Sequence, residues 1–182
     1  DEYGRNLVQM AADGNLYPGT ERMVEGKALI RALSRLEHNN VLLVTDDDDA
    51  ARLVVIRVAH AIAMKDCPST LKGKRIMDVT AIDSEKDMLE AENRLQMLLD
   101  EATKAKDVIL FLPVLKPPLT TIKGDWWIEM LKTVLVKGTV QFICQSTTLG
   151  YRCIEKEPAW RRLAQVIWLH DKEEKDEVPD EL

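Results

Sequence analysis

The side chains with the most chemical potential lie in one run, Thr45, Asp46, Asp47, Asp48, Asp49, Ala50, Ala51 and Arg52, directly after the apolar Val41-Leu42-Leu43-Val44. The pattern predicts a buried strand, a sharp turn and the first turn of a helix, and a helix start of this kind presents free backbone N–H groups that suit phosphate. A phosphate loop also needs glycines for close approach, a lysine to neutralise charge and a Ser or Thr hydroxyl for magnesium. The four aspartates of the turn supply none of these. Each carboxylate would repel a phosphate, by an amount set by the effective dielectric. The same carboxylates suit the positive end of a helix dipole and can cap it, a stabilising role worth about 0.3–2 kcal/mol in total. Asp46 and Asp48 are the candidate metal ligands, but consecutive turn residues diverge, whereas calcium takes about six to eight converging oxygens.

Other reactive side chains are scattered. Arg161 and Arg162 are adjacent cations, and Trp126-Trp127 are adjacent indoles that cannot both face inward on one helix, so one of them marks a candidate interface. Arg52, Arg161 and Arg162 also have the plainer reading of solvated or salt-bridged surface residues, and Trp160 and Trp168 that of core. His38, His60 and His170 form no nucleophile–base pattern. Cys67, Cys144 and Cys153 are odd in number and lack CxxC spacing, which argues against a disulfide framework or zinc site and for a reducing compartment, the cytoplasm.

Positioning these groups requires a core, and 182 residues with 46% apolar content can build one. A net charge of −6 without a basic, aromatic-interleaved stripe argues against nucleic acid. No apolar run reaches the roughly 18 residues of a membrane span, and the first twenty residues carry no charged-then-apolar signal pattern. Apolar periodicity predicts helices over Asn6–Asp13, Met23–Leu36, 50–64, Ser84–Lys104, with Ser84 as N-cap, and Trp126–Val136. Strands are predicted at Val41–Val44, Arg75–Ile82, Val108–Leu112, Val140–Cys144 and Val166–Leu169. Helices between strands imply right-handed crossovers and a three-layer, doubly wound, mostly parallel α/β sheet, with ligands at the carboxyl ends of the strands. Residues 1–170 would form this domain and the acidic 171–182 a flexible tail.

Several segments together resemble the first ATPase domain of Clp-type AAA+ unfoldases. Tyr3-Gly4-Arg5-Asn6-Leu7 with Ala11-Ala12-Asp13-Gly14-Asn15-Leu16 is similar to that family's entry helix, and Glu21–Leu36 to the helix before its first strand. Leu71-Lys72-Gly73-Lys74-Arg75-Ile76 resembles the entry to its second strand. Thr147-Thr148-Leu149-Gly150-Tyr151-Arg152 and Ile154-Glu155-Lys156-Glu157-Pro158-Ala159 resemble its sensor segment and the approach to its arginine finger. The resemblance is collinear, covers almost the whole chain and stops before the family's small helical lid subdomain. It implies a P-loop NTPase fold of the AAA+ large-subdomain type.

Against that family the chain departs where chemistry is done. The resemblance places the phosphate-loop glycines at Thr45 and Ala50, its lysine and threonine at Ala51 and Arg52, and its magnesium-holding and water-activating acids at Pro113 and Val114. Thr147 and Thr148 are retained in the sensor segment, and one arginine position near the finger is kept as Arg162. The segment between the second strand and the long helix is shorter than in the family and lacks its substrate-gripping aromatic. These departures imply an inactive domain without cofactor that binds protein, either itself or an active Clp or AAA+ homologue, through Trp126, Trp127, Arg161 and Arg162. Two alternatives remain from the sequence: an ATP-binding domain with a site rebuilt around metal at Asp46–Asp49, and a degenerate response-regulator receiver. The receiver reading takes Val108–Leu112 as the phosphoacceptor strand but lacks the acceptor aspartate near Leu112 or Pro113, and leaves the matches at 72–76 and 154–159 unexplained.

Overall fold

The computed structural model describes residues 4–79, 88–115 and 125–170. Its elements run β1 (Arg5–Asn6), α1 (Leu7–Ala12), α2 (Met23–Leu33), β2 (Asn40–Val44), α3 (Asp48–Ala63), β3 (Arg75–Asp78), α4 (Met88–Ala105), β4 (Val108–Leu115), α5 (Asp125–Lys137), β5 (Gln141–Ser146), α6 (Thr148–Ile154), α7 (Pro158–Leu163) and β6 (Ala164–Trp168). The strands form one sheet in the order β1-β3-β4-β5-β2-β6. Pairing is parallel from β3 through β6, and β1 adds an antiparallel edge with Arg5 opposite Asp78.

Alternation along each strand divides the interior into two cores. Val41, Leu43, Ile76, Ile109, Phe111 and Ile143 face α1, α2 and α3, where Leu7, Leu29, Val54, Val55 and Val58 complete the packing. Leu42, Val44, Met77, Leu110, Leu112, Phe142 and Cys144 face the opposite side, against Leu95 and Leu99 of α4, Leu131 and Leu135 of α5, and Trp160 of α7. The central strands are therefore apolar on both faces, as parallel strands covered by helices must be. The three-layer α/β architecture expected from the sequence is the one observed.

The differences are two short helices, α6 and α7, that the apolar periodicity did not predict, and the margins of other elements. The two-residue β1 was not expected, because no apolar run marks it; its place is fixed by pairing with Met77 and Asp78. The predicted third strand extends to Leu115, the last begins earlier at Ala164, and α2 stops at Leu33, three residues before the expected end. Of the predicted Arg75–Ile82 strand, Arg75–Asp78 is observed; residues 80–82, Ser84 and the acidic 171–182 lie outside the described residues.

Because β2 to β5 are parallel, the loops that feed them, 34–39, 64–74, 105–107 and 137–140, meet at one end of the sheet, here termed the floor. Polar groups knit these loops together. Gln141 donates from Nε2 to the carbonyls of Leu33 (2.8 Å) and Asn39 (3.1 Å) and accepts at Oε1 from Lys74 Nζ (2.6 Å). Thr70 Oγ1 donates to Ser34 O at 3.0 Å. Burial of Lys74 lowers its pKa despite the nearby Asp107 carboxylate, which pulls the other way and which itself accepts two 3.0 Å bonds from Arg75.

The helix exits at the floor carry a local conflict. Gly138 ends α5 in the left-handed region at φ +62°, a conformation glycine adopts freely, but the same role after α3 and α4 falls to Lys65 (φ +59°) and Lys106 (φ +60°). Lys65 closes a full Schellman motif, with its own N–H on Ile62 O at 3.0 Å and Asp66 N–H on Ala61 O at 2.9 Å. A left-handed non-glycine costs about 1–2 kcal/mol, and a cation at a helix C-terminus returns about 0.3–1 kcal/mol. Lys65→Gly and Lys106→Gly are each expected to leave stability unchanged or raise it by up to about 1 kcal/mol. Urea midpoints at constant m-value measure this, and a lowered midpoint would assign the lysines a stabilising contact instead.

Candidate functional site

At the carboxyl end of β2 the chain turns into α3, and the side-chain hydrogen bonds of this turn close on the turn itself, on the end of β5 and on the β5–α6 connection. Thr45 N donates to Ser146 O at 3.0 Å, and Thr45 Oγ1 accepts from Asp47 N at 3.0 Å. Asp47 is the N-cap of α3: its Oδ1 accepts from Asp49 N at 2.9 Å and Ala50 N at 3.1 Å. Asp46 grips Thr148 with both oxygens, taking the backbone N–H and the Oγ1 hydroxyl at 2.9 Å each. Asp48 Oδ1 accepts from Gln145 Nε2 at 2.7 Å. Asp49 is exposed. Thr147 caps α6 through Gly150 N at 3.0 Å, so the two retained threonines serve the two sides of one junction.

Four carboxylates are tolerable here because three of them satisfy donors that the parallel fold leaves open: the first amides of α3, the entry of α6 and a buried glutamine at the end of β5. The carboxylate on Asp49 N and Ala50 N sits where a helix N-terminus would otherwise meet an anion from solution. Among the described residues no group of three or more His, Cys, Asp or Glu is arranged to hold a metal ion.

Arg52, one turn into α3, leads away from this junction. Its guanidinium donates to Asp78 Oδ2 at 2.7 Å, and Arg5 donates to the same oxygen at 2.9 Å. The Asp78 side chain is 1% exposed, against 32% for Arg52 and 58% for Arg5. One buried carboxylate thus joins the β1 edge, the end of β3 and α3. Sequence reasoning placed Asp78 inside the predicted Arg75–Ile82 strand without giving it a partner; the available signal was a carboxylate inside a run predicted to be buried, which demands a cation.

The remaining candidates do not converge. Arg161 and Arg162 occupy the last turn of α7, both exposed. Trp126 and Trp127 fall in the first turn of α5, and their side chains lie outside the described residues. Trp160 is buried and packs edge-on to Phe142 with ring centroids 6.0 Å apart. Trp168 is not core: it is 43% exposed at the end of β6 and stacks edge-on with Tyr151 at 5.0 Å. The Cys144 thiol is buried and its pKa is pushed up by desolvation; Cys67 is raised for the same reason, with Lys72 opposing. Neither is a poised nucleophile. A cleft of about 290 Å³ between α4 and β3–β4, lined by Gly4, Met77, Met97 and Leu110, opens on the sheet face opposite α3 and has no part in the turn.

The strand order, the β2–turn–α3 element and the sensor-like β5–α6 connection define a P-loop-NTPase-like α/β domain. No family model matches the chain. It is 31% identical over 98% of its length to the ATP-dependent Clp protease ATP-binding subunit ClpC of Staphylococcus saprophyticus, and 30% identical over 94% to the chaperone protein ClpB of Meiothermus ruber. The structure of the S. cerevisiae Hsp104–ADP complex superposes with a TM-score of 0.74 at 25% identity over 93% of this chain and 24% of that one. The chain is an AAA+ ATPase-like domain homologous to those of the Clp and Hsp104 chaperones. It spans about a fifth of the length of the curated relatives it matches.

Two substitutions test the junction. Asp47→Ala removes the α3 cap and should cost about 1 kcal/mol in urea unfolding, with Asp47→Ser recovering most of it. Asp78→Asn strips two arginines of their counter-charge within a buried site and should cost about 2–4 kcal/mol. A cost for Asp78→Asn no larger than that for Asp47→Ala would show that the arginines find water or other partners without penalty.

Proposed function

We propose that this domain neither binds nor hydrolyses ATP in the manner of its relatives and acts as an assembly or protein-binding module of a Clp-type system. The observation that carries this reading is the closure of the β2–α3 turn by its own carboxylates. The Asp47 carboxylate already accepts from the α3 amides, Asp46 already holds Thr148, and no lysine follows in the turn. A triphosphate entering here would have to displace an intramolecular acceptor whose effective concentration is high, and would meet like charge worth about 1 kcal/mol per pair in water and about 4 kcal/mol in a surface environment at 4 Å separation. The cation nearest in sequence, Arg52, is committed to Asp78.

The association half of the proposal rests on what α6, α7 and β6 leave exposed. Arg161 and Arg162 lie exposed in the last turn of α7, at the amino end of β6, and Leu149 and Trp168 are large apolar side chains open to solvent at the carboxyl ends of β5 and β6. An arginine supplied in trans to an active neighbour's nucleotide needs no nucleotide of its own, so Arg162 can serve a partner although this chain hydrolyses nothing. The first turn of α5, with Trp126 and Trp127, would extend the same interface. Self-association through these surfaces is the other form of the same module.

Calorimetric titration with ATP and magnesium is expected to give no saturable heat, while size measurement should show a complex of the chain with itself or with an active Clp-type ATPase that Arg161→Ala, Arg162→Ala weakens. Saturable ATP binding that vanishes in Asp47→Ala, Asp48→Ala would replace this reading with the rebuilt metal and nucleotide site.

A further inference from the structure

The charge of this chain is unevenly distributed between the two ends of its sheet. The described loops at the carboxyl ends of β2 and β5 carry Asp46–Asp49 and no lysine or arginine. The opposite end holds eight lysines and arginines against three carboxylates, six of the cations in the floor loops 34–39, 64–74, 105–107 and 137–140 and two, Lys104 of α4 and Arg75 of β3, at their edges, within a chain whose net charge is −6. Of those eight, Arg75 is paired with Asp107 and Lys74 bonds Gln141, while Arg35, Lys65, Lys72, Lys104, Lys106 and Lys137 are exposed and make no ion pair among the described residues.

The topology sets these cations in a row. Lys72 precedes β3, Lys106 precedes β4, Lys137 precedes β5 and Arg35 precedes β2, and these four strands are consecutive neighbours in the sheet. At about 4.8 Å per strand the row crosses about 14 Å, the length of roughly four residues of extended chain. Two large apolar side chains are exposed in the same loops, Leu36 at 87% and Met64 at 52%. The loops beneath are tied together by the Gln141 and Thr70 hydrogen bonds, so the surface is organised before anything binds.

We propose that the floor is a docking surface for an extended acidic protein segment bearing at least one apolar side chain. Stability alone does not account for it. Lys65 and Lys106 occupy left-handed positions where glycine is free of strain, as Gly138 demonstrates at the neighbouring helix exit, so the cations are kept at a conformational cost. A small anion does not fit the arrangement: the cations stand on four separate loops without a common focus, and the helix ends beneath them present carbonyls rather than N–H groups. Nucleic acid is disfavoured because the four loops contain no Phe, Tyr or Trp on which a base could stack.

The test is fluorescence anisotropy with a labelled Glu-rich peptide containing one leucine, at about 50 mM and about 200 mM salt. The chain should bind it saturably at low salt and more weakly at high salt. Lys72→Glu, Lys106→Glu, Lys137→Glu together should lower affinity by about tenfold or more, while Lys27→Glu on α2 leaves it within about twofold. Lys65→Gly, Lys106→Gly, expected to fold at least as stably as the parent, should also bind more weakly, which separates docking from folding. Absence of binding at low salt, equal affinity in the triple reversal, or tighter binding of an RNA oligonucleotide of the same charge would overturn the proposal. The triple reversal leaves Arg161 and Arg162, which end α7 at the same end of the sheet, unchanged, and no arm uses ATP, so failure here is distinguishable from failure of the proposed function.

Discussion

The bond from the Asp47 carboxylate to the first amides of α3 is the constraint around which the candidate site is organised. A helix that begins at the end of a buried parallel strand has donors that must be satisfied, and evolution can leave them for a ligand or fill them from within. Here a side chain fills them. Asp46 then draws in the β5–α6 connection and Asp48 fixes Gln145, so the turn, two adjacent strands and the start of a second helix form one hydrogen-bonded unit. The turn is ordered by the chain's own side chains.

The sheet makes this arrangement possible by aligning β2, β5 and β6 in parallel register, Val44 beside Ser146 on one side and Trp168 on the other. All connections after these strands therefore emerge at one end and all connections before them at the other. The separation of charge follows from the same topology. Acids gather where helices begin and bases where they end, as the helix dipole favours, and the excess at the floor beyond what the dipole requires is visible in the strained lysines.

Much of this was legible in the residues. The continuous apolar runs at 41–44 and 108–112 could only be strands covered on both faces, and the amphipathic periods between them gave the helices and hence the layer order. The capping role of the turn was readable because aspartates directly before an alanine-rich helical run are placed to accept from its first amides. What could not be read was pairing across long sequence separation. Nothing local to Arg5, Arg52 or Asp78 announces that they meet, since their contact exists only once β1 has paired with β3 and α3 has packed over α1. The floor was equally hidden, because its cations are spread over about a hundred residues and gather only when four strands align.

The shared Asp78 also bears on how the domain comes apart. A two-residue edge strand is normally the first element to fray, and its loss costs little elsewhere. Here fraying of Arg5 would remove a counter-ion that it and Arg52 supply together to a carboxylate sealed in the interior. The amino-terminal edge is thereby tied electrostatically to the helix that begins at the aspartate turn, a link across the sheet that strand pairing alone does not provide.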